Sequence, residues 1–373
     1  MTDLDRFRAV VNFDVPDYWP ILRLYGLGGV YPRGREKLVR EGMPASVNDL
    51  FTWCDYWGLL TVLDAKPIGV NAPGIKEERG VEGDFEFVRY ETGALTRQVI
   101  DNANAYSMPD FQEFHVRDRG SWDLYKKLIT PRGKDLRRLD EQVERLKHRT
   151  KPLCMKVGGT WGVVRNFMGP VQAMMVIYEA PELLKDIIDH LLWIQEEFAF
   201  PVIKALRPEI LFTFEDLSYK NGMLISPSDF KTFCGDYYRR VAEVGRECGA
   251  LLLIVDSDGK VDEFCKVLEE LGFNGCCPME QVCGNEVAEY RKQQPRFIYA
   301  GGVEKGIVNT GDRRDIDAYL RAVIPTRLEG RGYFPMFDHR LQPMADFKRL
   351  CQCMTVLHEI CGCKAGSFPR QEP

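Results

Sequence analysis

The chain has 373 residues, 45% hydrophobic and 28% charged, with a formal net charge of −5. That composition describes a globular protein with a large core and excludes a disordered or fibrous one. The acidic balance, with no cluster of lysine or arginine, argues against nucleic acid as a partner, since phosphate neutralisation needs a basic stripe.

The opening stretch, "MTDLDRFRAVVNFDVPDYWP", lacks a basic segment followed by an apolar one, so it does not read as a secretory leader. The longest apolar runs fall far short of a bilayer span, and a cytoplasmic protein with no membrane partner is expected. Residues 1–150 are irregular, aromatic and rich in turns. Two stretches there read as loops, "YPRGREKLVREGMP" and "AKPIGVNAPGIKEERGVEG". This segment is expected as an N-terminal elaboration that covers or completes the main fold.

From about residue 151 to 345 short apolar runs alternate with amphipathic helical stretches. "KPLCMKV", "EILFTF", "LLLIVD", "FNGCCP", "RFIYAGG" and "GYFPM" read as strands. The stretches starting at "APELLKDIIDHLLWIQEEF", "SPSDFKTFCGDYYRR", "KVDEFCKVLEELG" and "NEVAEYRKQQ" read as helices. Strand and helix in this rhythm mean a parallel sheet, and the length suits one (β/α)8 TIM barrel in a single domain. Ser226 before Pro227 supplies a helix cap, and Gly249 and Gly272 supply stops. A last helix and tail occupy 346–373. Its four cysteines, Cys351, Cys353, Cys361 and Cys363, resemble a metal site, but residues two apart on a helix point in different directions and cannot share an ion. The chain's twelve cysteines are expected as reduced thiols.

In such a barrel, chemistry sits at the C-terminal ends of the strands. Here five consecutive ends carry acids: Glu215 and Asp216, Asp256 and Asp258, Glu280, Glu304 with Lys305, and Asp338 with His339. The convergence predicts a shared polar site holding Glu215, Asp216, Asp256, Asp258, Glu280 and His339. Asp256-Ser257-Asp258-Gly259 is also compatible with a capped turn, and Glu215 and Asp216 with a brace to Arg165 or Lys220.

"FEDLSYKNGMLISP", "VDSDGKVDEF", "CCPMEQ", "GGVEKG" and "FDHRLQP" resemble the uroporphyrinogen decarboxylase superfamily of TIM barrels, most strongly over 150–345. The resemblance implies either of two chemistries, a cofactor-free decarboxylase or a methyltransferase that works with a corrinoid protein. Measured against the decarboxylase, Arg23 and Gly26 match its N-terminal arginine loop and His339 its C-terminal histidine. The loop's second arginine falls on Leu27, its central aspartate near Asp55, its tyrosine near Asn166 or Phe167, and its serine on Asp216. Measured against the methyltransferases, the H-x-C zinc motif falls on Asp256-Ser257-Asp258 and the last cysteine beside His339.

The resemblance therefore implies a methyltransferase moving a methyl group from a small methoxylated substrate to a corrinoid carried on a separate protein. The alternatives are a decarboxylase of a porphyrinogen-like or smaller aromatic acid, and a barrel that binds a ligand without turnover. Glu215, Asp216, His339 and Lys305 are the expected catalytic residues. Arg23, Trp161, Asn166 and Asn221 would touch substrate. Asp256, Asp258, Glu280 and His339 would hold a divalent metal, with zinc the expected ion. A homodimer is compatible with the sequence.

Overall fold

The structure is a computed structural model that describes residues 1–65, 76–90, 94–99, 110–133, 136 and 138–371. β1 (Leu63–Ala65) is followed by four antiparallel strands in sequential order, β2 (Glu78–Glu82), β3 (Phe85–Arg89), β4 (Leu95–Val99) and β5 (Asp110–Glu113). Then come β6 (Leu153–Val157), β7 (Ile210–Phe214) and a two-residue hairpin of β8 (Ser218–Tyr219) and β9 (Gly222–Met223). The last four are β10 (Leu252–Asp256), β11 (Gly275–Cys277), β12 (Ile298–Val303) and β13 (Tyr333–Phe337). The six expected strands after residue 150 are all present, because parallel strands covered on both faces read as unbroken apolar runs.

β1, β6, β7, β10, β11, β12 and β13 form one parallel, curled sheet in that order. Residues 21–24 lie between its two ends. The Leu22 amide donates to Pro335 of β13 at 2.8 Å, and the Leu60 amide donates to Ile21 at 2.8 Å, with Leu22 and Leu60 bridged in parallel. The fold is TIM-barrel-like, and the N-terminal region supplies two of its eight strand positions.

Strand pleating sends alternate residues inward and outward. Inward residues from all eight positions pack into one inner cluster that includes Leu22, Val62, Cys154, Phe212, Ile254, Cys277, Ala300 and Phe334. The helix Asp3–Val11, held by a capping box at Thr2, plugs the floor of this cluster with Phe7, Val10 and Val11. Phe7 stacks on Phe334 at 5.6 Å. Outward residues pack against the surrounding helices in a second, larger cluster. With the floor closed, the upper mouth is the accessible end.

The long helix predicted over 180–206 is present but broken into Pro181–Ile194, a π turn Gln195–Ala199, and Phe200–Leu206. Pro201, which has no amide proton to donate, sits just after the π turn. Ser226 caps Pro227–Cys248 by accepting from the Asp229 amide at 3.0 Å. The helix Arg313–Glu329, opened by a capping box at Asp312 and burying Ile316, Leu320, Ile324 and Leu328, is an addition to the expected set.

The N-terminal region is more regular than expected. "YPRGREKLVREGMP" contains the helix Pro32–Arg40 rather than a loop. The end of "AKPIGVNAPGIKEERGVEG" is strand β2, while residues 66–75 of it lie outside the described residues. All twelve cysteines are free thiols, and the four in the C-terminal segment are buried. No helix among the described residues is long and apolar enough to cross a membrane.

Candidate active site

A cavity of about 1240 Å3 opens at the strands' C-terminal ends. Its floor and walls carry Asp216, Asp258, Glu280 and His339, with Arg165 and Asn166 beside them. Its roof comes from the antiparallel sheet and neighbouring loops, through Tyr90, Gln98 and Phe111.

Asp216 adopts a positive φ of 50°, a conformation that aspartate tolerates better than most side chains. Its carboxylate sits 2.6 Å from Arg165, so one of the acids lining the cavity already has a partner. Glu280 has another, since the Lys305 ammonium lies 2.8 Å away. Burial works against the Glu280 charge, but the Lys305 contact and the Gly259 amide outweigh it and hold the carboxyl below its usual range. Asp338 lies beneath, accepting the Gln281 and Lys305 amides at 2.9 Å each. Burial pushes its carboxyl up to about 6.

Asp256 and Asp258 behave differently. Burial, then the Asp216 charge, pushes Asp256 up to about 8. Burial, then the Glu280 and Asp256 charges, pushes Asp258 up to about 9. Both are therefore protonated carboxyls at neutral pH. His339 Nε2 lies 3.6 Å from Asp258, and burial followed by the Lys305 charge pulls the imidazole below its ordinary value. In the cavity wall Asp258 thus faces His339, while Asp256 stands two residues earlier at the end of β10 and does not line the cavity.

Some expected site residues lie elsewhere. Glu215 is fully buried on the outward side of β7. Its carboxylate accepts the Thr160 amide and hydroxyl, the Gly162 amide and the Tyr238 hydroxyl, at 2.5, 2.7, 2.8 and 2.7 Å. Gly159 permits this joint, because a Cβ there would sit 2.1 Å from the Phe214 carbonyl. Glu215 is a brace, not a cavity group. Trp161 is also buried, at 1% exposure, behind the wall. Asn221 is exposed at the tip of the β8–β9 hairpin, while Ser218, Tyr219 and Lys220 of the same hairpin line the cavity. Asp55, matched above to the decarboxylase aspartate, is exposed on the helix Leu50–Trp57.

The expected metal set also needs correction. Among the described residues no three His, Cys, Asp or Glu side chains are disposed to hold one ion. Lys305 puts its ammonium against Glu280 and 4.0 Å from Asp338, so the positive charge assigned to a metal is supplied by the chain. The residues present do not fit a zinc site built on Asp256, Asp258, Glu280 and His339.

Sequence reasoning missed the other half of the mouth. Lys156 follows Cys154 by two residues, so it also faces inward, and its ammonium lies 4.2 Å from the centre of the Tyr25 ring. Tyr25 has a positive φ of 50°, packs on Phe212 at 4.4 Å and donates its hydroxyl to Asp64 at 3.4 Å. Phe214, 41% exposed, follows the inward-facing Phe212 by two residues and so also faces inward. Arg340 reaches over from the last strand's loop to lie against Gly26, where a Cβ would sit 2.2 Å from its guanidinium. Arg23 lies beneath the same turn, with Nε and Nη1 buried and unpartnered. Counting pleats from Cys154 and Val62 would have found Lys156 and Asp64.

Compared with known proteins, the sequence matches the uroporphyrinogen decarboxylase family over residues 103–360. Among curated proteins none matches significantly. A solved methyltransferase from Methanosarcina mazei superposes with a TM-score of 0.58 at 14% identity, covering 96% of this chain and 99% of that one. At that identity the likeness concerns the fold. A B12-independent methionine synthase from Shewanella sp. W3-18-1, in complex with selenomethionine, gives a TM-score of only 0.22 at 10% identity, covering 76% of this chain and 75% of that one.

Proposed function

The chain belongs to the uroporphyrinogen decarboxylase family, and we propose that within it this protein is a methyltransferase that removes the methyl group of a small methoxylated substrate. The observation that carries this reading is Asp258 in the cavity wall 3.6 Å from His339 Nε2, its carboxyl raised to about 9 by burial and then by the Glu280 and Asp256 charges. Breaking a methyl–oxygen bond leaves an alkoxide or phenolate, a poor leaving group unless it receives a proton.

In this mechanism Asp258 gives its proton to the substrate oxygen as the methyl group departs. The oxygen leaves as a hydroxyl and Asp258 becomes a carboxylate. His339, 3.6 Å away, holds that carboxylate in place and returns a proton to it from solvent. Lys305 offsets the extra negative charge while Asp258 is ionised, and Arg165 keeps the Asp216 carboxylate turned to the wall. The roof aromatics Tyr90 and Phe111 enclose the substrate. The acceptor is a corrinoid carried on a separate protein, which supplies the nucleophile for the methyl group. The proton delivery described here needs no metal on this chain.

Decarboxylation is the second reading, favoured by the exposed cations Lys156 and Arg340 at the mouth, which could hold substrate carboxylates. One experiment separates the two. The purified protein is incubated with methoxylated aromatic acids and a corrinoid protein, following both the demethylated phenol and released carbon dioxide. Phenol formation that needs the corrinoid protein supports methyl transfer. Carbon dioxide without it would replace that reading with decarboxylation.

A further inference from the structure

We propose that Lys156 and Arg340 form an anion subsite that takes the carboxylate of an aromatic acid. This deepens the reading of a small methoxylated substrate by naming its class.

Lys156 and Arg340 approach one strained turn, Tyr25 to Gly29, from two sides. Lys156 comes from β6 over the Tyr25 ring at 4.2 Å. Arg340 comes from beyond β13 against Gly26, with its guanidinium 5.4 Å from the Tyr31 ring centre. Neither has a carboxylate at ion-pair distance among the described residues, although Arg165 and Lys305 in the adjoining cavity both do. The nearby acids do not neutralise them. Asp64 instead accepts the Tyr25 hydroxyl. Asp256 feels both cations, yet burial keeps it protonated at neutral pH. Two positive charges thus stand at the mouth of an acidic chain with no carboxylate at ion-pair distance among the described residues.

The surroundings set the ligand's shape. Both cations are exposed to solvent through the mouth, and Tyr25 offers its ring face to Lys156. A planar acid with its ring against these side chains would place its carboxylate between Lys156 and Arg340, where charge-assisted hydrogen bonds are strongest. Asp256 ends β10 two residues after the inward-facing Ile254 and two before Asp258, so it also faces inward. An acid bound this way would extend its far end towards the proton donor.

The test is calorimetric titration of the full chain with benzoate, 4-methoxybenzoate and methoxybenzene. The unmodified protein should bind both acids, more weakly as salt is raised. Lys156→Met and Arg340→Gln should each weaken acid binding about tenfold or more, as loss of one charged hydrogen bond implies. Lys156→Arg should retain binding, and methoxybenzene should be indifferent to every substitution. Arg340 is exposed, so its replacement leaves the core untouched. Failure of the unmodified protein to bind benzoate, or unchanged acid affinity in Lys156→Met and Arg340→Gln, would overturn the proposal. Benzoate carries no methyl group, so its binding reports on the subsite even if no substrate is demethylated. Conversely, demethylation of 4-methoxybenzoate with undiminished kcat/KM in Lys156→Met would keep methyl transfer and sink the subsite.

Discussion

His339 Nε2 stands 3.6 Å from the Asp258 carboxyl, and at neutral pH neither group is charged. Burial raises the acid to about 9 and lowers the base. A proton donor kept loaded next to a base that can reload it is the arrangement that leaving-group protonation requires. Asp258→Asn should therefore lower kcat roughly 100-fold or more while leaving KM near its original value. In the unmodified enzyme kcat should fall on the alkaline side, between about pH 8 and 9, as Asp256 and Asp258 ionise. Steady-state kinetics across pH check both points. An unchanged kcat in the variant would assign the proton to another group.

Glu215 should matter for stability instead. Glu215→Ala strands the Thr160 and Gly162 amides and the Tyr238 hydroxyl in a dry joint. Each buried donor left unpaired costs about 1–3 kcal/mol, and the costs overlap, so a loss of about 3 kcal/mol or more is expected. Urea unfolding measures it. A variant of undiminished stability that is nevertheless inactive would return Glu215 to the catalytic set.

The contrast between Glu215 and Asp216 shows where the sequence is legible and where it is not. The strand ends were readable, because apolar runs such as "ILFTF" stop sharply at polar residues and the caps mark the helices. Which of two adjacent acids enters the cavity depends on pleat parity and on a backbone turn at Asp216, and neither shows in residue type. Residues 21–24 pair too briefly to leave an apolar run. β2, "ERGVE", is exposed along its whole length and carries no alternation. The metal expectation failed for another reason. It counted acids at strand ends without knowing how far the long side chains of Lys305, Lys156 and Arg340 reach.

The raised acids also make stability depend on pH. An aspartate with an unfolded value near 4 and a folded value of about 8, as for Asp256, binds its proton more tightly when folded. Its contribution to stability is complete at acid pH and is lost as pH rises from about 4 to about 8. Asp256→Asn removes the titrating group while keeping its shape. The variant's Tm relative to the original protein should therefore rise steadily between pH 5 and pH 9. Thermal melts at the two ends suffice, and a constant difference between the proteins would mean that Asp256 is not a buried neutral acid.

Glu280 tests the coupling within the site, because one substitution acts on Asp258 through two routes of the same sign. After burial, the Glu280 charge is the largest influence raising the Asp258 carboxyl, and the Lys305 charge lowers it. In Glu280→Gln the negative charge is gone, and Lys305 loses the partner it holds at 2.8 Å. Both changes favour ionised Asp258. The amide is close in volume to the carboxylate, and its oxygen can still accept the Gly259 amide, so the loop after β10 should keep its position. His339 does not complicate the outcome. Glu280 raises its value and Lys305 lowers it, so the substitution only makes the imidazole more firmly neutral. The alkaline limb of kcat should accordingly move to lower pH in Glu280→Gln. Rate profiles give the direction, and carboxyl-resolved NMR titration of Asp258 gives it independently. A limb that stays fixed or moves to higher pH would show that Asp258 is not the group whose proton the reaction consumes.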